Sequence, residues 1–180
     1  MEIIQRTSKS LAAILVVSLL GVTSNMTLAQ QDHEPEHSPY KFTLASVCGD
    51  YGAVATYGAN IARALGTEKA DGRGKLTGAA IVNQPGPNNT RTLSSIGIAG
   101  TYVVNTNGTG IMVLTITLPN GSTASVTEDF VITKAKVVDG IAIATEIVDA
   151  QEEPSAVIDN SGFVTHTYTL RTAPKSCSRE

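Results

Sequence analysis

The feature that most constrains the fold is a run of alternating side chains, broken at short intervals by Gly and Asn. It is clearest in residues 97–118, GIAGTYVVNTNGTGIMVLTITL, where two β-rich segments flank NTNGTG at 105–110. Val, Ile, Thr and Tyr suit a pleated, half-buried surface. Asn and Gly tolerate the positive φ that a tight reversal needs. The segment is therefore predicted to be a β-hairpin.

The same pattern recurs along the chain and predicts eight strands. They cover residues 49–57, 61–69, 75–83, the two arms of 97–118, 123–133, 141–148 and 163–171. Residues 61–69 are also compatible with a helical turn, and the two prolines of 84–91 predict a loop outside any ladder. Eight short strands with short links favour an all-β fold, a single eight-stranded antiparallel up-and-down β-barrel, which has no free edges. The alternative is a two-sheet sandwich.

The N-terminal residues are predicted to lie outside this domain. A basic segment precedes the apolar run at 11–22, and Thr27-Leu28-Ala29 offers a small-x-small cleavage site. This arrangement is typical of a secretory signal and predicts a secreted or periplasmic protein, with an uncleaved anchor as the alternative. The predicted division is a signal peptide at 1–29, a flexible polar leader at 30–47 and the barrel domain at 48–177.

Cys48 and Cys177 are the two cysteines of the chain and stand at the two ends of the predicted domain. An even number of cysteines in an exported protein indicates a disulfide, here Cys48–Cys177, with two free thiols as the alternative. Closing so long a loop stabilises by about 4–5 kcal/mol in the chain-entropy model.

The sequence argues against several classes of partner and cofactor. The net charge of −3 and the scattered bases exclude a nucleic-acid or anionic-membrane surface. The leader contains H-E-x-x-H at 33–37, but Pro35 lies between the two histidines, whereas a zinc protease needs both on one face of a buried helix. Adventitious metal binding by this tract is the remaining reading. No metal site, cofactor or catalytic residue is predicted.

Four turn-rich motifs carry a resemblance to a known group. GDYG at 49–52, DGRGKLTG at 71–78, GTYVVN at 100–105 and NGTG at 107–110 resemble small secreted bacterial proteins of lipocalin-like or calycin-like β-barrel type. The resemblance spans residues 48–172, implies the barrel fold and implies no assigned activity. A looser similarity links the chain to allene oxide cyclase-like barrels. The chain has no Trp, so it lacks the Gly-x-Trp of true lipocalins and the Trp-lined pocket of biotin-binding barrels.

Period-two alternation identifies the side chains that share a face of each strand. Four ionisable residues fall on otherwise apolar or small-residue faces predicted to point inward: Arg63, Glu128, Glu146 and His166. Tyr102, Met112, Leu114, Phe130 and Tyr168 complete the set of candidate ligand-binding residues. A histidine beside a carboxylate can shuttle protons. The alternative places His166 at the rim and the carboxylates in water at the barrel ends.

These observations predict an exported β-barrel that binds a small, largely apolar molecule in its interior. One alternative is an extracellular structural or interaction scaffold with a filled barrel. Another is a cofactor-free isomerase or cyclase that uses the interior Glu, His and Arg residues. No membrane association is expected after signal cleavage, and the Thr- and Val-rich outer wall permits a homo-oligomer.

Overall fold

The computed structural model describes residues 40–58, 62–155, 157 and 163–172, and in them eight antiparallel strands close into an up-and-down barrel. Each strand pairs with the next in sequence, and the last pairs with the first. The strands are β1 (Cys48–Tyr57), β2 (Ala62–Asp71), β3 (Lys75–Pro85), β4 (Arg91–Val104), β5 (Thr109–Thr117), β6 (Thr123–Val138), β7 (Ile141–Gln151) and β8 (Val164–Thr172). The predicted fold class is confirmed, and the sandwich alternative is wrong.

The strands are longer than the sequence pattern indicated. β4 begins at Arg91 rather than at residue 97, and β6 continues to Val138. Pro85 forms the last pair of the β3–β4 ladder, opposite Arg91, so the loop is shorter than predicted. A proline is tolerated there because it lies at the end of its strand. Residues 62–71 form a strand, which removes the helical alternative.

The hairpin turns use the chemistry that their sequences predict. Between β2 and β3 the Asp71 carboxylate accepts hydrogen bonds from the backbone N–H groups of Arg73 and Lys75, at 2.7 and 2.9 Å. Between β4 and β5 the Asn107 side chain accepts one from the backbone of Thr109, and Gly108 has a φ of +89°. Asn and Asp side chains stabilise tight turns by bonding to the backbone two residues on.

Residues 40–47 pack against one end of the barrel rather than forming part of a flexible leader. Phe42 is buried over Gly108, and its N–H donates to the Thr106 carbonyl at 3.1 Å. A short 3₁₀ helix, Leu44–Ser46, follows and contacts β4 and β7. We call the end of the barrel against which residues 40–47 pack the covered end. The leader prediction is therefore wrong for residues 40–47, because Phe42 and Val47 provide apolar side chains that the barrel buries.

Three predictions concern residues outside the described part of the chain. The signal peptide and the H-E-x-x-H tract lie within residues 1–39, and Cys177 lies within 173–180. Cys48 is buried at the start of β1, and its disulfide with Cys177 stays a prediction. Within the described residues, no helix has the length and apolar character that a bilayer crossing requires.

An irregularity in the β6–β7 ladder changes which residues face inward. The pairing shifts between Ile132 and Lys134 and again between Lys134 and Ala135. Before the shift, β7 buries Ala142 and Ala144; after it, β7 buries Ile147, Asp149 and Gln151. Each strand has one extra residue there, Thr133 on β6 and Thr145 on β7, which exchanges its two faces while the pairing register on either side stays the same.

Candidate functional site

Three ionisable side chains from three consecutive strands meet inside the barrel. Glu128 lies on β6, Asp149 on β7 and His166 on β8. The His166 Nδ1 atom is 2.7 Å from Asp149 Oδ1 and 3.7 Å from Glu128 Oε1. Glu128 is 1% exposed and Asp149 is 3% exposed, so both carboxylates are withdrawn from water. We call these three residues the acidic cluster.

Neighbouring side chains fix the orientation of the acidic cluster. The Tyr168 hydroxyl donates to Asp149 Oδ2 at 2.9 Å, and the backbone N–H of His166 donates to Asp149 Oδ1 at 2.8 Å. The Gln151 amide donates to Glu128 Oε1 at 3.2 Å. Asp149 is thus held by its neighbours through both of its oxygens, whereas Glu128 is held through one.

Two buried oxygen atoms beside the cluster have no hydrogen-bond partner among the described residues. They are Glu128 Oε2 and Gln151 Oε1. A buried acceptor without a donor costs about 1–3 kcal/mol, and more when it is charged. A proton shared between the carboxyls of Glu128 and Asp149 would satisfy the first of them. A bound cation or a hydrogen-bond donor would satisfy either.

A small cavity of about 30 Å³, measured as the space open to the centre of a water-sized sphere, adjoins the cluster. Glu128, Gln151 and His166 line one side of it. The facing walls carry small side chains from β1, β2 and β3: Ala53, Ala55, Ala64, Gly66 and Ala80. Because this volume is open to the centre of a water-sized sphere, the cavity has room for at least one water.

A fourth acidic residue, Glu68 on β2, lines the same cavity and is 7% exposed. Gly78 on β3 lies beside it, and a Cβ atom at that position would come within 2.6 Å of the Glu68 Cγ. The glycine therefore leaves room for the Glu68 side chain inside the barrel.

Burial governs the ionisation of the two glutamates. It raises the pKa of Glu128 to about 8, and the nearby Asp149 charge raises it further than the His166 charge lowers it. Burial also raises the pKa of Glu68 to about 7, against a lowering by His166. A carboxyl withdrawn from water favours its neutral form.

The histidine and the aspartate behave as a charged pair. Burial lowers the pKa of His166, but the hydrogen bond and the charge of Asp149, with the charges of Glu128 and Glu68, outweigh it and raise the pKa to about 9. Burial raises the pKa of Asp149, but the hydrogen bond and the charge of His166 outweigh it and hold this pKa below its ordinary value. In metal-free protein at neutral pH the pair is therefore an imidazolium beside a carboxylate.

Seven of the nine predicted site residues point into the barrel. They are Tyr102, Met112, Leu114, Glu128, Phe130, His166 and Tyr168. The structure brings Glu128, His166 and Tyr168 together around Asp149. Tyr102 lies instead at the covered end, where its hydroxyl donates to the Val47 carbonyl at 2.6 Å. Whether any of the seven binds a ligand stays a prediction.

The predicted inward placement of Arg63 and Glu146 is wrong. Arg63 is exposed on the outer face of β2, since Ala62 and Ala64 on either side of it are buried. Glu146 lies outside the barrel, where it pairs with Lys134 at 2.9 Å. It shares a face with Ala142 and Ala144 in a regular alternation, but the β6–β7 irregularity turns it outward.

Three site residues were missed by sequence reasoning: Glu68, Asp149 and Gln151. Glu68 was detectable, because it alternates with Ala62, Ala64 and Ala70, a row of small residues suited to an interior. Asp149 and Gln151 were missed because the predicted strand ended at residue 148, whereas β7 continues to Gln151.

Comparison with known proteins gives no match: no protein-family model fits the chain, and no curated protein or solved structure is significantly similar to it. The predicted resemblance is therefore supported at the level of the eight-stranded antiparallel barrel alone.

Proposed function

We propose that this chain is a ligand-binding β-barrel whose site is the acidic cluster together with the adjoining cavity. The observation that carries the proposal is the pair of unpartnered buried oxygens, on Glu128 and Gln151, at the wall of the cavity. Buried carboxylates are costly, and well-packed apolar residues of similar volume are often at least as stable. A barrel that served only as a scaffold gains nothing from keeping them.

The ligand that fits this site is small and polar or cationic, rather than largely apolar. Sites for drug-sized molecules have volumes of roughly 300–1,000 Å³, whereas this cavity measures about 30 Å³. The nearest protein groups with unsatisfied bonding capacity are acceptors, which favour a donor or a positive charge. The largely apolar ligand expected from the sequence does not find the volume that it needs in this conformation. The same volume argues against a cyclase substrate.

One observation favours a filled scaffold as the second candidate. Met112, Leu114, Phe130 and Tyr168 are each at most 4% exposed and occupy much of the interior. Under this candidate the acidic cluster is a structural network, and the Thr-rich outer faces of the strands would contact a partner.

The two candidates predict different results when the cavity is filled. Ala64→Val places two methyl groups in the cavity at a typical overpacking cost of about 1–3 kcal/mol. Ala99→Val is the matched control because Ala99 is exposed on the outer face of β4. Protein purified from its own host is measured by native mass spectrometry, by denaturing mass spectrometry and by elemental analysis.

The binding proposal expects a stoichiometric extra mass or element in the wild type and in Ala99→Val, and its loss in folded Ala64→Val. Glu128→Gln, compared with the outward-facing Glu146→Gln, provides the same test without a change in volume. A wild type that carries nothing in any of these measurements, and whose cavity variants keep full stability, would contradict binding and favour the scaffold.

A further inference from the structure

We propose that Glu128, Asp149 and His166 bind a divalent transition-metal ion. This inference rests on the proposed function and names the ligand of the same site. One ligand comes from each of three consecutive strands, and the three ligating atoms all lie within 4.8 Å of one another. Because the strands are hydrogen-bonded neighbours in a closed barrel, the backbone holds these side chains in place without the ion.

The spacing of the ligand atoms suits first-row metals. Around an ion bound at ~2.0–2.2 Å, neighbouring ligand atoms lie roughly 3–3.5 Å apart. The distances from His166 Nδ1 to Asp149 Oδ1 and to Glu128 Oε1 are 2.7 and 3.7 Å, on either side of that range. Shifts of a few tenths of an ångström would bring these two distances into that range.

The environment provides what a metal site needs beyond its ligands. Tyr168 donates to Asp149 Oδ2, and Gln151 donates to Glu128 Oε1, so outer groups orient both carboxylates. Glu128 Oε2 is buried without a hydrogen-bond partner in the part of the chain that the structure describes, and a cation held by this carboxylate would satisfy it. Two ionised carboxylates with a neutral imidazole would balance the charge of a divalent ion.

The donor set also selects among metals. One imidazole and two carboxylates suit Zn²⁺, Mn²⁺, Fe²⁺ or Co²⁺, whereas Ca²⁺ takes six to eight oxygens and Mg²⁺ keeps several waters. Three protein ligands leave a position open, as in zinc sites that carry a water. The cavity beside Glu128 and His166 has room for a water next to the proposed ligands.

The experiment must separate this site from the histidines of the leader. The chain has three histidines, His33, His37 and His166. We therefore use the full chain with His33→Ala and His37→Ala, in which every imidazole signal belongs to His166. The protein is stripped with a chelator and then titrated with Zn²⁺, Mn²⁺, Co²⁺ and Ca²⁺ by calorimetry, with a thermal melt at each ratio. NMR follows the His166 imidazole resonances during the Zn²⁺ titration.

The proposal expects saturable binding of one Zn²⁺ per chain, a raised Tm and a shift of the His166 signals, with no comparable response to Ca²⁺. Glu128→Gln should weaken binding by about 100-fold or more, whereas Glu146→Gln on the outer wall should leave it unchanged. If His166→Ala fails to fold, the NMR titration of the intact cluster still shows whether Zn²⁺ binds at His166. Unchanged His166 signals, or equal affinity in Glu128→Gln, would overturn the metal site.

The same measurements distinguish this inference from the broader proposal. A bound organic molecule that is lost in Glu128→Gln, without Zn²⁺ binding, would overturn the metal and leave ligand binding in place. Absence of both a bound molecule and Zn²⁺ binding would overturn both.

Discussion

At the covered end of the barrel, the hydroxyl of Tyr102 donates to the Val47 carbonyl, and that of Tyr51 donates to the Ala144 carbonyl at 3.1 Å. At the acidic cluster, two buried oxygens have no partner among the described residues. Both regions are equally withdrawn from water, so burial does not explain the difference. The covered end has the satisfied bonding of a region that stabilises the fold. The acidic cluster has open bonding capacity, which a ligand can use.

The largest effect on the free energy of unfolding is expected for a substitution in the acidic cluster. Asp149→Ala removes the partner of both His166 and Tyr168, and breaking a buried pair in this way costs about 3–5 kcal/mol. Glu128→Gln should cost much less in metal-free protein, because it removes a carboxylate that is already incompletely paired. Chemical denaturation of both variants in the presence of a chelator measures the contrast. Equal losses would mean that the two carboxylates have the same structural role.

Removing the Phe42 ring tests the covered end. Phe42→Ala should lower the free energy of unfolding by about 3 kcal/mol, because the ring is buried over Gly108. Leu44→Ala, at a neighbouring position that is 38% exposed, should cost less than half as much. Zn²⁺ affinity should be unchanged in both variants. A large change in affinity would show that the covered end and the acidic cluster are coupled.

The metal-free protein should lose stability as the pH rises from about 5 to 9. Glu68 and Glu128 have folded pKa values of about 7 and 8, and His166 of about 9, so the folded state binds more protons than the unfolded state across this range. The lowered pKa of Asp149 affects stability only in acid, where the stabilisation that the ionised carboxylate contributes is lost as the pH falls.

We expect the Tm in chelator to be roughly 5 °C or more lower at pH 9 than at pH 5. Glu68→Gln removes one of these groups without touching the proposed ligands, so it should flatten the curve between pH 5 and 7. A Tm that rises with pH across the range would contradict the assigned burial of the glutamates.

The smallest effect on the free energy of unfolding is expected for a substitution on the outer wall of the barrel. Glu146→Gln removes the Lys134 ion pair, in which the lysine side chain is 68% exposed, and should leave the free energy of unfolding almost unchanged because water screens exposed pairs. Denaturation at low and high salt measures this difference. A loss as large as that of Asp149→Ala would place Glu146 in the interior after all.

The barrel was predictable from sequence because Asn, Asp and Gly indicate its turns, and the alternation of apolar and polar side chains indicates its strands. The same alternation placed Glu128, His166 and Tyr168 inside correctly, since β8 and most of β6 run without interruption. It placed Glu146 inside because nothing in the residue types around 132–135 or 145 marks the extra residue in each strand, and Asp149 was missed because the predicted strand ended at residue 148. Residues 40–47 were assigned to the flexible leader because the residues before them are polar, although Phe42 and Val47 are apolar.

The irregularity in the β6–β7 ladder has an evolutionary consequence. A chain of this type in which β7 alternated regularly from Ala142 onward would present Glu146 and Val148 to its interior in place of Ile147 and Asp149, while every residue kept its identity. Loss of the extra residue from each strand, at Thr133 and Thr145, would instead restore regular alternation and keep Ile147 and Asp149 inside. The interior chemistry therefore tolerates a paired deletion at this point of the wall.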